Sequence, residues 1–164
     1  MPMNTAESFC SNCGSKHSEA AYPKSCRICG HIAYVNPKVV AVAVIPQGDG
    51  VVLVRRAIPP FIGELALPGG YQEMGESLEE AAAREPGEEC GIELNPADAV
   101  YLGSRTAGGN TLVFFQFPPI PYQTFEPSSE TQEVVVRGPK AKLCFPLHQE
   151  VMDRFFQNQG RTAA

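Results

Sequence analysis

The sequence contains no apolar segment long enough to cross a membrane and no tryptophan. Its longest uninterrupted apolar run, residues 39–45, has seven residues, whereas a membrane-spanning helix needs about 20. The first 15 residues have neither a basic start nor an apolar stretch that ends in small residues, so the sequence predicts no signal peptide. These absences lead us to expect a cytoplasmic protein without a membrane partner.

Positive charge is also scarce, because 13 Lys and Arg residues face 18 Asp and Glu residues and give a net charge of −5. The acidic excess is concentrated in residues 70–92, which contain seven Glu and one Arg. Such a cluster is typical either of a solvated helix face or of a site for hard cations such as Mg²⁺. Composition alone does not separate these alternatives, but spacing can.

Four of the six cysteines form two close pairs with the spacing C-x2-C-x12-C-x2-C. They are Cys10, Cys13, Cys26 and Cys29. This pattern favours a tetrahedral Zn²⁺ ion, and four thiolate ligands leave no open position for a reacting water, so the ion would be structural. Two disulfides are the alternative, which a cytoplasmic chain disfavours. The same region has no basic stripe, so we do not expect it to bind nucleic acid.

The pattern of apolar residues and turns predicts two domains and an α+β fold. A zinc ribbon over residues 1–35 would precede a larger domain over residues 36–164 that forms an α/β/α sandwich with a mixed sheet. Residues 39–45 and 51–56 are expected to form a hairpin, and a helix should run from Ser77 to Gly91. Further elements are predicted as strands at 65–67, 100–102, 111–117 and 133–137 and a final helix at 147–157.

The acidic segment carries a specific motif. From Gly70 it reads GYQEMGESLEEAAAREPGEECGI, which resembles the Nudix box, G-x5-E-x7-R-E-U-x-E-E-x-G-U, where U is aliphatic. On a helix, Glu85, Glu88 and Glu89 share one face. Three carboxylates on one face can hold Mg²⁺ or Mn²⁺, and the neighbouring Arg84 suits a bidentate contact with a carboxylate.

The resemblance implies a metal-dependent hydrolase with named residues in its site. Glu85, Glu88 and Glu89, with the backbone carbonyl of Gly69, would hold the metal, and Glu76 would support it. The general base stays open between Glu85 and a carboxylate on a later loop. Candidates for that loop carboxylate are Glu130 and Glu133.

The whole chain resembles the zinc-ribbon Nudix hydrolases that cleave ADP-ribose, FAD or related dinucleotides. NADH pyrophosphatases share this architecture but carry a downstream motif that contains Trp, which this sequence lacks; the NADH substrate is therefore less favoured. The resemblance also allows a homodimer. Candidate contacts to the substrate are Arg55, Arg56, Phe61, Tyr71 and Phe115.

One departure from the motif bears on activity. The aliphatic position is Pro86, and Gly87 follows it; proline inside a helix costs about 3 kcal/mol or more because it removes a hydrogen bond and clashes with the preceding turn. We therefore expect the helix to kink or restart between Glu85 and Glu88. A catalytically weakened domain that binds a nucleotide metabolite as a sensor or partner-binding module is the alternative function.

Overall fold

The structure is a computed structural model that describes residues 8–18 and 21–162. These residues fall into two compact units that divide between Pro37 and Lys38. The first unit contains a two-stranded antiparallel pairing of β1 (Lys24–Ser25) with β2 (Ile32–Ala33). No helix in the described part of the chain is both long and apolar enough to span a membrane.

The second unit contains eight strands and two α-helices. The strands build two four-stranded sheets. The elements are β3 (Lys38–Val44), β4 (Pro46–Gln47), β5 (Gly50–Arg56), β6 (Leu65–Ala66), β7 (Gly69–Tyr71), α1 (Leu78–Cys90), β8 (Val100–Ala107), β9 (Asn110–Gln116), β10 (Thr131–Arg137) and α2 (Pro146–Thr162). In the first sheet β3 pairs in parallel with β9 and antiparallel with β7, so the sheet is mixed, as predicted.

The expected hairpin between residues 39–45 and 51–56 is wrong. β3 belongs to the sheet β7-β3-β9-β8, whereas β5 belongs to a second sheet with β10, β4 and β6. The tight turn joins β4 to β5, with Pro46 opposite Val51. The chain changes sheets at Ile45. The sequence did not reveal this change, because both flanking runs are apolar on both faces and such runs do not identify their partner strand.

The two helices lie on opposite sides of this layer of strands. Along β3, Ala41 and Ala43 pack in the cluster that contains the small residues of α1. Val42 and Val44 point the other way, into the cluster that contains Met152 of α2. Successive residues of a strand face opposite sides of a sheet, so the alternation produces the predicted α/β/α sandwich.

Helix α1 begins and ends where its sequence predicts, and it passes through Pro86 as one element. The Ser77 hydroxyl accepts from the Glu80 N–H while the Glu80 carboxylate accepts from the Ser77 N–H, which forms a capping box. Gly91 adopts the left-handed conformation at the other end. Of the two outcomes expected at Pro86, the restart is therefore wrong, and the kink stays a prediction. The Pro86 ring is buried where the motif has an aliphatic side chain.

Candidate metal and nucleotide site

The acidic face of α1 forms one wall of a cavity of about 800 Å³. All three predicted carboxylates, Glu85, Glu88 and Glu89, line this cavity, and Glu130 joins them from the loop before β10. Gly69 and Gly70 of β7 also line it. The structure therefore brings together, around one space, the helix, the glycine turn and a later loop that lie far apart in the sequence.

Arg84 fixes the orientation of the acidic groups. Its guanidinium donates to both carboxylate oxygens of Glu76, at 3.1 and 2.9 Å, and to the backbone carbonyl of Tyr71 at 3.0 Å. Its Nη1 also donates to Glu85 at 2.9 Å and to Glu88 at 3.0 Å. These bonds raise the pKa of Arg84, and Nη1 bridges Glu85 and Glu88 across Pro86.

Glu76 lies at the end of this network rather than on the cavity wall. Its carboxylate accepts from Arg84 and, at 2.7 Å, from the Glu73 N–H, and the hydrogen bond from Arg84 holds its pKa below the usual range. The resemblance implied that Glu76 would support the metal. Its contacts give it a task compatible with that prediction, which is to hold Arg84.

Glu85 and Glu89 are carboxylates in partly buried positions. Burial raises the pKa of Glu85, against the opposing effect of Arg84, and raises the pKa of Glu89 to about 8, although the Gly69 N–H donates to Glu89 at 3.0 Å. A Cβ added at Gly70 would overlap the Glu85 carboxylate. Glycine at this position of the motif therefore leaves the space that the carboxylate occupies.

The donor set fits a hard divalent cation in its chemistry. Three carboxylates from one helix face and a backbone turn supply the oxygen ligands that Mg²⁺ and Mn²⁺ prefer. Arg84 holds Glu85 and Glu88, while the Gly69 N–H holds Glu89. Among the described residues only the four cysteines bring three or more ligand atoms within 4.8 Å of one another. Metal binding would require Glu88 and Glu89 to turn toward a common ion.

The remaining predicted contacts divide into two groups. Arg56 and Tyr71 line the cavity, and their contact with the substrate stays a prediction. Arg55 instead pairs with Glu133 at 2.7 Å, and neither residue is part of the cavity wall. Phe61 is half exposed and packs edge-on against Phe145, with ring centroids 5.3 Å apart.

The prediction that Phe115 contacts the substrate is wrong. Its side chain is 2% exposed and lies in the core between the sheet and α1, where its ring meets Tyr101 at 6.0 Å. It cannot stack a substrate from that position. Phe145 and His148, at the start of α2, do line the cavity but carry no motif in the sequence. Only their apolar surroundings next to a helix start could have drawn attention to them.

The four N-terminal cysteines form a second cluster. Cys10 and Cys29 have their sulfurs 3.7 Å apart, and Cys13 and Cys26 have theirs 3.6 Å apart. A tetrahedral ion with Zn–S bonds of about 2.3 Å places its ligand sulfurs about 3.8 Å apart, whereas a disulfide requires about 2.05 Å. The cluster therefore fits the predicted zinc ion. A hydrogen bond from Ser15 lowers the pKa of Cys26 to about 5.

Comparison with curated proteins identifies relatives of this chain. The chain is 42% identical over 59 residues to an ADP-ribose pyrophosphatase of Methanocaldococcus jannaschii, covering 36% of this chain and 35% of that protein. It is 34% identical over 101 residues to the NAD-capped RNA hydrolase NudC of Pseudomonas aeruginosa, covering 59% of this chain and 34% of NudC. The chain thus spans about a third of the length of these two relatives.

Solved structures share the fold. A NUDIX hydrolase from Nitrosomonas europaea superposes with a TM-score of 0.75 at 25% identity, covering 93% of this chain and 92% of that one. The NUDIX domain of Shewanella oneidensis NrtR, complexed with ADP ribose, gives 0.66 at 22% identity, covering 77% and 90%. The family model described as NUDIX domain matches residues 36–158. Since this match covers most of the chain, the protein belongs to the NUDIX family.

Proposed function

We propose that this protein is a metal-dependent hydrolase that cleaves the diphosphate linkage of a nucleoside diphosphate derivative. ADP-ribose and FAD are the favoured substrates, and NADH is less favoured. The observation that carries the proposal is the single cavity lined by Glu85, Glu88, Glu89 and Glu130. Its volume of about 800 Å³ lies within the range of small-molecule sites.

The proposed metal residues are Glu85, Glu88 and Glu89, with the Gly69 carbonyl beside them. A bound Mg²⁺ or Mn²⁺ would offset the charge of the diphosphate and polarise a water for attack at phosphorus. Arg84 keeps the helix carboxylates aligned, because it contacts Glu85 and Glu88 through one nitrogen. The four cysteines would hold a structural Zn²⁺ that takes no part in this chemistry, because four thiolates leave no open position for a reacting water.

Two carboxylates remain candidates for the general base. Glu85 lies on the helix and Glu130 on the opposite loop, and both line the cavity. Glu133 is a weaker candidate because it pairs with Arg55 outside the cavity wall. Replacing Glu85 and Glu130 separately by Gln, and comparing the dependence of rate on metal concentration, tests the choice: loss of the base lowers kcat at saturating metal, whereas loss of a ligand also raises the metal midpoint.

The substrate preference rests on the relatives as well as on the cavity. One relative is named an ADP-ribose pyrophosphatase, and one structure of the same fold holds ADP ribose. Other relatives are named NAD-capped RNA hydrolases, so the test must include their substrate. The purified protein should be incubated with Mg²⁺ or Mn²⁺ and with ADP-ribose, FAD, NADH, NAD-capped RNA and nucleoside triphosphates, and the products identified by mass spectrometry.

The expected products are AMP with ribose 5-phosphate, or AMP with FMN. The substrate preference would be refuted if a nucleoside triphosphate or NAD-capped RNA gave a higher kcat/KM than ADP-ribose and FAD. Binding of ADP-ribose without turnover under either metal would instead support the alternative, a domain that binds a nucleotide metabolite without cleaving it. The carboxylates facing one cavity favour hydrolysis over that alternative.

A further inference from the structure

His148 is a buried polar residue in the wall of the cavity. It lies in the first turn of α2 and is 5% exposed. Its ring meets Phe114 edge-on at 5.7 Å and lies 4.9 Å from the ring of Phe145. Neither the motif nor the proposed chemistry gives this histidine a task, although it reaches the same space as the acidic helix.

One of the two ring nitrogens of His148 makes no hydrogen bond within the described part of the chain. Its Nδ1 is enclosed and has no hydrogen-bond partner among the described residues. The ring can therefore exchange hydrogen bonds with a bound molecule only through Nε2. Burial, assisted by the charge of Arg56, lowers the pKa of His148 to about 3, so the imidazole stays neutral and presents a donor or an acceptor without charge.

The groups around His148 also suit an uncharged ring. The Arg56 guanidinium is directed toward the neighbouring loop, where it donates to the carbonyls of Ile58, Pro59 and Pro60 at 3.4, 3.3 and 2.7 Å. Its carbon lies 5.2 Å from the centre of the Phe145 ring. The three loop residues and Phe145 line the cavity together with Arg56, so this part of the wall combines apolar surfaces with a guanidinium that is already hydrogen-bonded to the loop.

The part of the cavity wall around His148 differs in charge from the part formed by α1. The carboxylates there require a cation, and a metal-bound diphosphate would lie beside them. A planar heterocycle needs apolar contact on its faces and a small number of hydrogen bonds at its edge. Phe145, the loop prolines and His148 provide both within one cavity.

We propose that His148 recognises the uncharged heterocyclic ring of the substrate's nucleoside, adenine in the case of ADP-ribose, through a hydrogen bond from the edge of that ring to Nε2. Phe145 and the loop residues Ile58, Pro59 and Pro60 supply the apolar contact. The inference rests on the proposed function for the identity of the ligand, but it concerns binding and not cleavage. His148 would thus be a specificity-determining residue.

The test uses the two halves of ADP-ribose as separate probes, so that it does not depend on turnover. Calorimetry should measure the Kd of AMP, which carries the ring, and of ribose 5-phosphate, which does not, in wild type and His148→Phe. Phe preserves a flat aromatic shape and removes the hydrogen bond. AMP should bind about tenfold more weakly to the variant, as expected for a lost neutral hydrogen bond, whereas the Kd of ribose 5-phosphate should change by less than about twofold.

Stability gives a second readout. Because Nδ1 is buried without a partner, replacing the ring by Phe should leave the free protein as stable as wild type or more so. His148→Gln, which keeps a donor and an acceptor, should retain part of the AMP affinity and serves as the measured variant if His148→Phe does not fold.

Several results would overturn the proposal. An unchanged AMP affinity in His148→Phe would show that the ring binds elsewhere, and a loss confined to Tyr71→Leu would place it against the exposed tyrosine of the same cavity. Equal weakening of AMP and ribose 5-phosphate would assign His148 to the shared phosphate or to the fold. Wild-type protein that binds ribose 5-phosphate but not AMP would also contradict it. Absence of hydrolysis alone would count against the proposed function and leave these binding results to decide the role of His148.

Discussion

Replacing Gly87 by alanine should stabilise the protein without changing its metal affinity or turnover. Gly87 lies inside α1 and is exposed, and an added Cβ would meet only the Ile92 carbonyl at 3.7 Å, an ordinary contact. Glycine in a helix interior costs about 1 kcal/mol relative to alanine. The free energy of unfolding of the variant should therefore be about 1 kcal/mol higher than that of wild type. For a chain of this size this corresponds to a Tm about 2–4 °C higher.

The functional half of this prediction follows from how the carboxylates are held. Arg84 contacts Glu85 and Glu88 on either side of Pro86, and Glu89 accepts from the Gly69 N–H. These contacts do not depend on the regularity of the helix at Gly87. The Mg²⁺ midpoint and kcat should consequently be the same in Gly87→Ala and wild type.

The assay combines thermal unfolding with Mg²⁺ titration of the hydrolysis rate. Gly63→Ala is a matched control, since Gly63 also has open space around it but adopts a φ of +83°, so alanine there should lower the Tm. A tighter Mg²⁺ midpoint or a higher kcat in Gly87→Ala would refute the reasoning. Such a result would mean that the Pro86–Gly87 irregularity does hold the carboxylates out of position.

Three further predictions address other parts of the molecule. A four-thiolate site implies about one zinc ion per chain in wild type, and Cys26→Ser should lose it. Elemental analysis measures the zinc content, and retention of zinc in the variant would contradict the assignment. Arg84→Lys should lower kcat by at least about tenfold, because one ammonium cannot replace the fork that joins Glu76, Glu85 and Glu88; a rate equal to wild type would exclude that task. Phe115→Ala should cost about 3–5 kcal/mol in the free energy of unfolding and leave KM unchanged, and a raised KM in a folded variant would return Phe115 to the substrate site.

Some features of the site were predictable because they depend on local chemistry. The capping box at Ser77 and the terminal Gly91 mark the helix, and helical spacing alone places Glu85, Glu88 and Glu89 on one face. The cysteine spacing likewise predicts a four-sulfur cluster. In each case the residues that matter are close in sequence or follow a known interval, so tertiary context adds little to the inference.

Other features depend on contacts that local patterns do not encode. The pairing of β3 with β9 instead of β5 joins segments about 70 residues apart, and burial on both faces hides the partner. The cost assigned to Pro86 from helix propensity omits the packing of its ring and the bridge made by Arg84. His148 lies in a stretch that reads as an ordinary amphipathic helix start, and only the folded chain places it in the cavity.

The central claim is metal-dependent cleavage of a diphosphate by the acidic face of α1. The most direct measurement compares wild type with Glu89→Gln, each incubated with ADP-ribose and Mg²⁺ and each repeated with EDTA, with AMP and ribose 5-phosphate quantified over time. Wild type should form both products in equal amounts, EDTA should abolish the reaction, and Glu89→Gln should be at least about 100-fold slower, comparable to the loss of other large electrostatic contributions. Full activity in EDTA, or equal rates in the two proteins, would contradict the account.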